Sequence, residues 1–126
     1  MKQKSKLKLH KEIKNDLKAI AEAFGEEAVQ DQVQDELDRI LTNPERYGKL
    51  CEYEPLVTAG VRKVKFFSNR QQQRIKGSKP DLRILYRYDA RKDTVEIITI
   101  AQRVKVRPRP PEDAYSIAET RVSDDS

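Results

Sequence analysis

The chain has 126 residues, enough for one modest core and too few for a second lobe. Hydrophobic residues make up 37% and charged residues another 37%, with no Trp, so any core is thin and mostly aliphatic under a charged surface. A single Cys and a single His exclude an internal disulfide, a paired-cysteine metal or redox motif, and acid–base catalysis by two histidines.

The lone Cys51 fits a reducing compartment, which makes the cytoplasm the expected location. The first residues, MKQKSKLKLHK, are basic but lack the apolar run of a signal peptide, and no segment approaches the roughly 20 apolar residues of a membrane span. No membrane association is expected.

Leu7 and Leu9 alternate with Lys6, Lys8 and His10, the period of a strand with one apolar face. From about Lys11 the period changes: Ile13, Leu17, Ile20, Ala21 and Phe24 recur three or four residues apart, which predicts a helix ended by Gly25. A second stripe, Val29, Val33, Leu37, Ile40 and Leu41, predicts another helix, stopped at Asn43 and Pro44. Two helices meeting at Gly25 form a helical hairpin.

Beyond a loop through Tyr47 to Pro55, residues 60–67 alternate again, with Val64 and Phe66 facing one way and Lys63 and Lys65 the other. Residues 68–81 have no apolar period and include Gly77 and Pro80, so they read as a long basic loop. LRILYRYD and TVEIITI are two strands joined by a hairpin turn at ARKD, with Arg83 and Arg87 on one face and Ile84, Tyr86 and Tyr88 on the other. The proline-rich VKVRPRPP is extended and leads into a short helix over 112–121. The expectation is a single α+β domain over residues 1–121 with a disordered tail at 122–126. Its antiparallel sheet has about four strands and packs on the N-terminal helical hairpin, in the order β-α-α-β-β-β with a short C-terminal helix.

Charge is divided along this plan. Between Arg62 and Arg109 fifteen basic residues face Asp81, Asp89, Asp93 and Glu96, a local net charge of +11. The second helix is acidic, with Glu26, Glu27, Asp31, Asp35, Glu36 and Asp38 opposed only by Arg39. A sheet whose outward face is this basic suits a polyanion, nucleic acid above all. His10 reads as a surface residue at a strand end and Cys51 as an inert, half-buried thiol.

The element order, together with KVKF at 63–66, LRILYRY at 82–88, ITIAQR at 98–103 and AYSIAETR at 114–121, resembles the RelE/ParE superfamily of bacterial toxins, over nearly the whole chain. The likeness is closer to the RelE branch, whose basic and tyrosine positions are all matched. The resemblance implies that Lys63 and Lys65 lie beside the scissile phosphate, one of them helping to move protons. It likewise implies that Arg83 holds the phosphate and that Arg103 stabilises the extra charge of the transition state. Tyr115 would stack on a base or assist proton transfer. Arg62, Arg74, Lys76, Arg87 and Lys105 are the expected RNA-binding positions.

The implied protein is the toxin of a type II toxin–antitoxin system, a ribosome-dependent endoribonuclease that inhibits translation by 2′-OH-driven cleavage of mRNA, with no metal or cofactor. Its implied partners are a cognate antitoxin, the ribosome and mRNA, with a possible higher-order toxin–antitoxin complex. The antitoxin would lay an acidic or amphipathic segment over the basic face. The competing readings are a DNA gyrase inhibitor of the ParE kind and an inactive toxin fold that only binds nucleic acid or protein. In the absence of a histidine pair, a Lys or Tyr with a reference pKa of about 10 must serve as base, and neighbouring positive charge helps a Lys to lose its proton.

Overall fold

The computed structural model describes residues 4–104, 106 and 108–124. Strand β1 (Lys6–Leu9) leads into helix α1 (Ile13–Phe24). The apolar stripe of α1 behaves as its spacing requires: Ile13 and Ile20 are buried, with Leu17 and Phe24 packed alongside. Gly25, at φ +96°, turns the chain out of the helix where a side chain would be strained.

The second helix starts with a π-helical turn over Ala28–Val33 and continues as α2 (Gln34–Thr42). The wider turn brings Gln32 inside beside Ala28 and Val33, and its amide donates to the Phe67 carbonyl at 3.1 Å. Asn43 leaves the helical conformation and Pro44 opens the short α3 (Pro44–Tyr47).

The sheet follows: β2 (Lys49–Leu50), β3 (Arg62–Phe66), β4 (Leu82–Asp89) and β5 (Thr94–Gln102), in the order β1-β5-β4-β3-β2. It has five strands and is mixed, which corrects the expectation of about four antiparallel ones: β1 runs parallel to β5, Lys6 opposite Thr94 through Leu9 opposite Ile97. The cause is topological. The helical hairpin carries the chain across one face, so β3 points the same way as β1, and two hairpin reversals later β5 points that way again.

Between Ser68 and Asp81 the chain is not loop throughout. A short helix, α4 (Arg70–Arg74), is capped by the Asn69 side chain, which accepts from the Gln72 amide at 2.7 Å. The excursion is closed at its base, where Ser68 donates to Asp81 through its amide (2.8 Å) and its hydroxyl (2.6 Å). The last helix, α5 (Ala114–Asp124), runs past the expected limit at Arg121, so Val122 to Asp124 are helical rather than a disordered tail. Residues 125 and 126 lie outside the described residues.

Two apolar clusters lie on opposite faces of the sheet. The larger joins the helical pair to Val64, Phe66, Leu82, Ile84, Tyr86, Val95, Ile97 and Ile100. The smaller gathers Cys51, Leu56, Val61, Leu85, Ile98, Ala114, Tyr115 and Ala118 under α5. The second face is therefore only partly open, and the uncovered part is where the cations of β3 stand.

Candidate active site

On β3 the alternation that buries Val64 and Phe66 turns Lys63 and Lys65 toward the α5 side. Arg83 on β4 stands directly opposite Lys65 in the register. Arg103 follows the last residue of β5, and its amide donates to the Asp81 carbonyl at 2.9 Å, which ties the strand end to the closed base of the α4 excursion.

Asp113, fully buried, organises the remainder. One carboxylate oxygen accepts from the Val104 amide at 2.8 Å and from Arg103 Nη1 at 3.2 Å, and the other accepts from the Tyr115 amide at 3.0 Å. A single side chain thus caps the start of α5 and fixes the Arg103 guanidinium beside Tyr115.

Tyr115 is the hub. Its hydroxyl accepts from Arg83 Nε at 3.3 Å, and three cationic groups lie within 6 Å of its ring centroid: Lys63 Nζ at 5.9 Å, Arg103 Cζ at 5.3 Å and Arg109 Cζ at 4.8 Å. The ring is only 7% exposed, so it has no open face on which a base could stack. Arg83, itself buried, is braced by donating Nη1 to the Pro80 and Leu82 carbonyls at 3.0 and 2.9 Å.

These groups line one hollow of about 210 Å³, shared with Cys51, Glu52, Tyr53, Leu56 and Arg109. Burial of the ammonium lowers the pKa of Lys65 below the ordinary lysine value, and the positive charges of Arg83, Lys63, Lys49 and Arg103 push it the same way. Burial raises the Cys51 thiol to about 11 against the pull of Lys63 and Arg109, so it stays protonated and non-nucleophilic.

A family model described as the ParE toxin of the type II toxin–antitoxin system parDE matches residues 7–106. The chain belongs to this ParE toxin family, within the RelE/ParE superfamily. Lys63, Lys65, Arg83 and Arg103 fall inside the matched residues, while Arg109 and Tyr115 fall beyond them. The toxin fold is similar to that of a doubly substituted E. coli RelE toxin in the free state, with TM-score 0.55 and 14% identity over 98% of each chain. It is also similar to isolated E. coli RelE, with TM-score 0.54 and 17% identity over 94% of this chain and 98% of that one. No curated protein sequence matches the chain.

The five residues expected to do chemistry in this toxin, Lys63, Lys65, Arg83, Arg103 and Tyr115, all line the one hollow. The expected RNA-binding set is scattered. Arg62 donates to the Gly48 carbonyl at 2.9 Å, and Arg87 pairs with Glu96, its neighbour across β5, through Nε at 2.9 Å. Arg74 lines another hollow between α2 and α4, bordered by Lys65 as well, where Asp35 and Glu36 stand among the cations, and Lys76 is exposed on the turn after α4. Lys105 lies outside the described residues.

Sequence reasoning did not single out four of the lining residues: Arg109, which sits in the proline-rich run, and Glu52, Tyr53 and Leu56, which sit in a segment without period. Tyr53, 65% exposed, is the aromatic ring at this hollow that remains open to a base. No helix among the described residues is long and apolar enough to cross a membrane, and none of them form a cluster of His, Cys, Asp and Glu that could hold a metal.

Proposed function

We propose that this toxin is an endoribonuclease that cuts mRNA held in the ribosomal decoding site. The supporting observation is the convergence of Lys63, Lys65, Arg83, Arg103 and Tyr115 on one hollow at the open part of the sheet. In this reading Lys65, whose amine is easier to deprotonate than an ordinary lysine, takes the proton of the 2′-OH as that oxygen attacks phosphorus. The O2′–P bond forms, the P–O5′ bond breaks, and the proton needed by the departing 5′ oxygen comes from the Tyr115 hydroxyl, whose incipient negative charge Arg83 stabilises. Arg103 and Lys63 meet the charge that builds on the phosphate oxygens.

Lysine and tyrosine have reference pKa values of about 10, so much of the acceleration must come from alignment of the 2′-OH with the phosphate. A ribosome supplies that alignment by bending the message, and well-oriented reacting groups can gain about 7 to 11 kcal/mol in effective molarity terms. The test compares one transcript, free and in a programmed ribosome with an empty decoding site, at matched toxin concentration. Fast cutting on the ribosome and slow cutting of free RNA is the expected result, and equal rates would overturn ribosome dependence.

The match to the ParE family model favours a second reading, inhibition of DNA gyrase with no nuclease chemistry. A supercoiling assay run in parallel separates them: inhibited gyrase with an intact message in both formats moves the assignment to that reading.

A further inference from the structure

Arg109 has no role in the scheme above, yet it is the guanidinium nearest the Tyr115 ring, at 4.8 Å. Its Nε–H is buried and has no hydrogen-bond partner among the described residues. Among the described residues its one ion-pair partner is Glu119 on α5, at 3.9 Å, too loose to satisfy the fork. Pro108 and Pro110 flank it, and a residue before proline is confined to extended backbone, so the side chain is presented from a backbone with few alternatives. A buried donor left without an acceptor is costly, and it is commonly met where a ligand completes the site.

Charge points the same way. The hollow is lined by five basic side chains, Lys63, Lys65, Arg83, Arg103 and Arg109, and by the carboxylate of Glu52, while Asp113 pairs with Arg103 and Glu119 approaches Arg109 from outside the lining.

We propose that Arg109 is a substrate ligand, its guanidinium binding a backbone phosphate of the RNA adjacent to the scissile one. This rests on the reading of the hollow as an RNA site, though not on cleavage. The Arg109 side chain, carried on a proline-stiffened segment, holds a planar donor fork over the tyrosine, and the two free oxygens of a phosphate match such a fork.

The test measures binding of a short single-stranded RNA with 2′-O-methyl groups, which blocks 2′-OH attack and so reads binding apart from cutting. Affinity is taken across a salt series for the intact protein and for Arg109→Gln, Arg109→Lys and Lys18→Gln, the last an exposed lysine on α1 remote from the hollow. Each phosphate contact to a single strand contributes about 0.7 to the slope of log K against log salt. Arg109→Gln is expected to flatten the slope by about that amount, so that its disadvantage shrinks about fivefold per tenfold rise in salt. Arg109→Lys, which keeps the charge, should retain the slope, as should Lys18→Gln. An unchanged slope in Arg109→Gln with an unchanged melting temperature overturns the proposal, and so does a parent protein that shows no salt-dependent binding. RNA binding with the expected slopes but an uncut message on the ribosome would instead overturn the nuclease reading and leave Arg109 an RNA ligand.

Discussion

Asp16 and Arg121, 105 residues apart, meet fork to fork, with Nη1 at 2.7 Å from Oδ2 and Nη2 at 2.8 Å from Oδ1. The pair joins α1 to α5 around the outer edge of β5, where β1 pairs only as far as Ile97. It also takes up ladder groups that no strand reaches: Arg121 donates to the Ile98 carbonyl at 2.9 Å, and Asp16 accepts from the Ile100 amide at 3.2 Å and the Thr99 hydroxyl at 2.8 Å. With side chains 8% and 14% exposed, breaking the pair from one side leaves a poorly solvated charge. Arg121→Leu should cost about 3 kcal/mol in urea unfolding, and Asp16→Leu combined with Arg121→Leu less than the two single losses together. A loss under about 1 kcal/mol for Arg121→Leu would show that the pair is not a clamp.

Tyr86 is fully buried, and its hydroxyl donates to the Pro44 carbonyl at 2.7 Å while accepting from the Gly48 amide at 2.9 Å. A Cβ on Gly48 would stand 2.5 Å from that hydroxyl. Tyr86→Phe should therefore destabilise by about 1 to 3 kcal/mol through two unpaired backbone groups. Gly48→Ala, which displaces the ring rather than merely trimming it, should lower the melting temperature further. The reverse order would mean that the ring shifts at little cost.

Asp113 couples stability to the site. Asp113→Ala should lose about 1 to 2 kcal/mol from the helix cap alone. It should also reduce cleavage at temperatures where the variant is fully folded, because Arg103 and Tyr115 lose their common anchor. Single-turnover rates measured well below the melting transition would separate the two effects, and an unchanged rate there would leave Asp113 a cap only.

Arg103→Ala removes the charge that the proposed scheme assigns to the phosphate oxygens, a change expected to slow cleavage about 100-fold to 1,000-fold. Tyr115→Phe keeps the ring on which the cations gather but loses the hydrogen bond to Arg83 and the proton donor of the proposed scheme; the smaller loss is expected because water can protonate the departing oxygen while nothing replaces the charge of Arg103. A larger loss with Tyr115→Phe in the same ribosome assay would make proton transfer, not charge, the limiting contribution.

The lowered pKa of Lys65 has a direction in pH. A lysine acts as base when neutral, so the cleavage rate should rise with pH toward that pKa and level off above it. Lys49 on β2 contributes to the lowering from outside the hollow. Lys49→Gln removes one positive neighbour, brings the Lys65 pKa closer to the ordinary value, and should move the rising limb to higher pH with the plateau unchanged. A profile that does not move would assign the titration to another group.

Where burial follows a period, the sequence was readable: the stripes of α1 and α2, the alternation of Val64 and Phe66 against Lys63 and Lys65, and the β4–β5 hairpin all appear where the spacing puts them. What stayed hidden has no period. The parallel pairing of β1 with β5 spans almost ninety positions, as in Lys6 with Thr94, and β2 is two residues long. Helix α4, RQQQR, buries nothing and depends on the Asn69 cap and the Ser68–Asp81 clasp. The second cluster draws Cys51, Leu56 and Val61 from an irregular segment, and it is this cluster that brings Glu52 and Tyr53 to the hollow. Arg109 was disguised by the prolines that position it.

The hub of the site is also the last of its parts to be made. Lys63, Lys65, Arg83 and Arg103 are all translated before Tyr115, and the smaller cluster that seats them cannot close until Ala114, Tyr115 and Ala118 arrive with α5. A nascent chain that has emerged only as far as β5 carries its cations on a sheet face with no ring to gather them and no Asp113 to orient Arg103. Because a small domain folds as a unit, the site comes into being only once α5 has emerged.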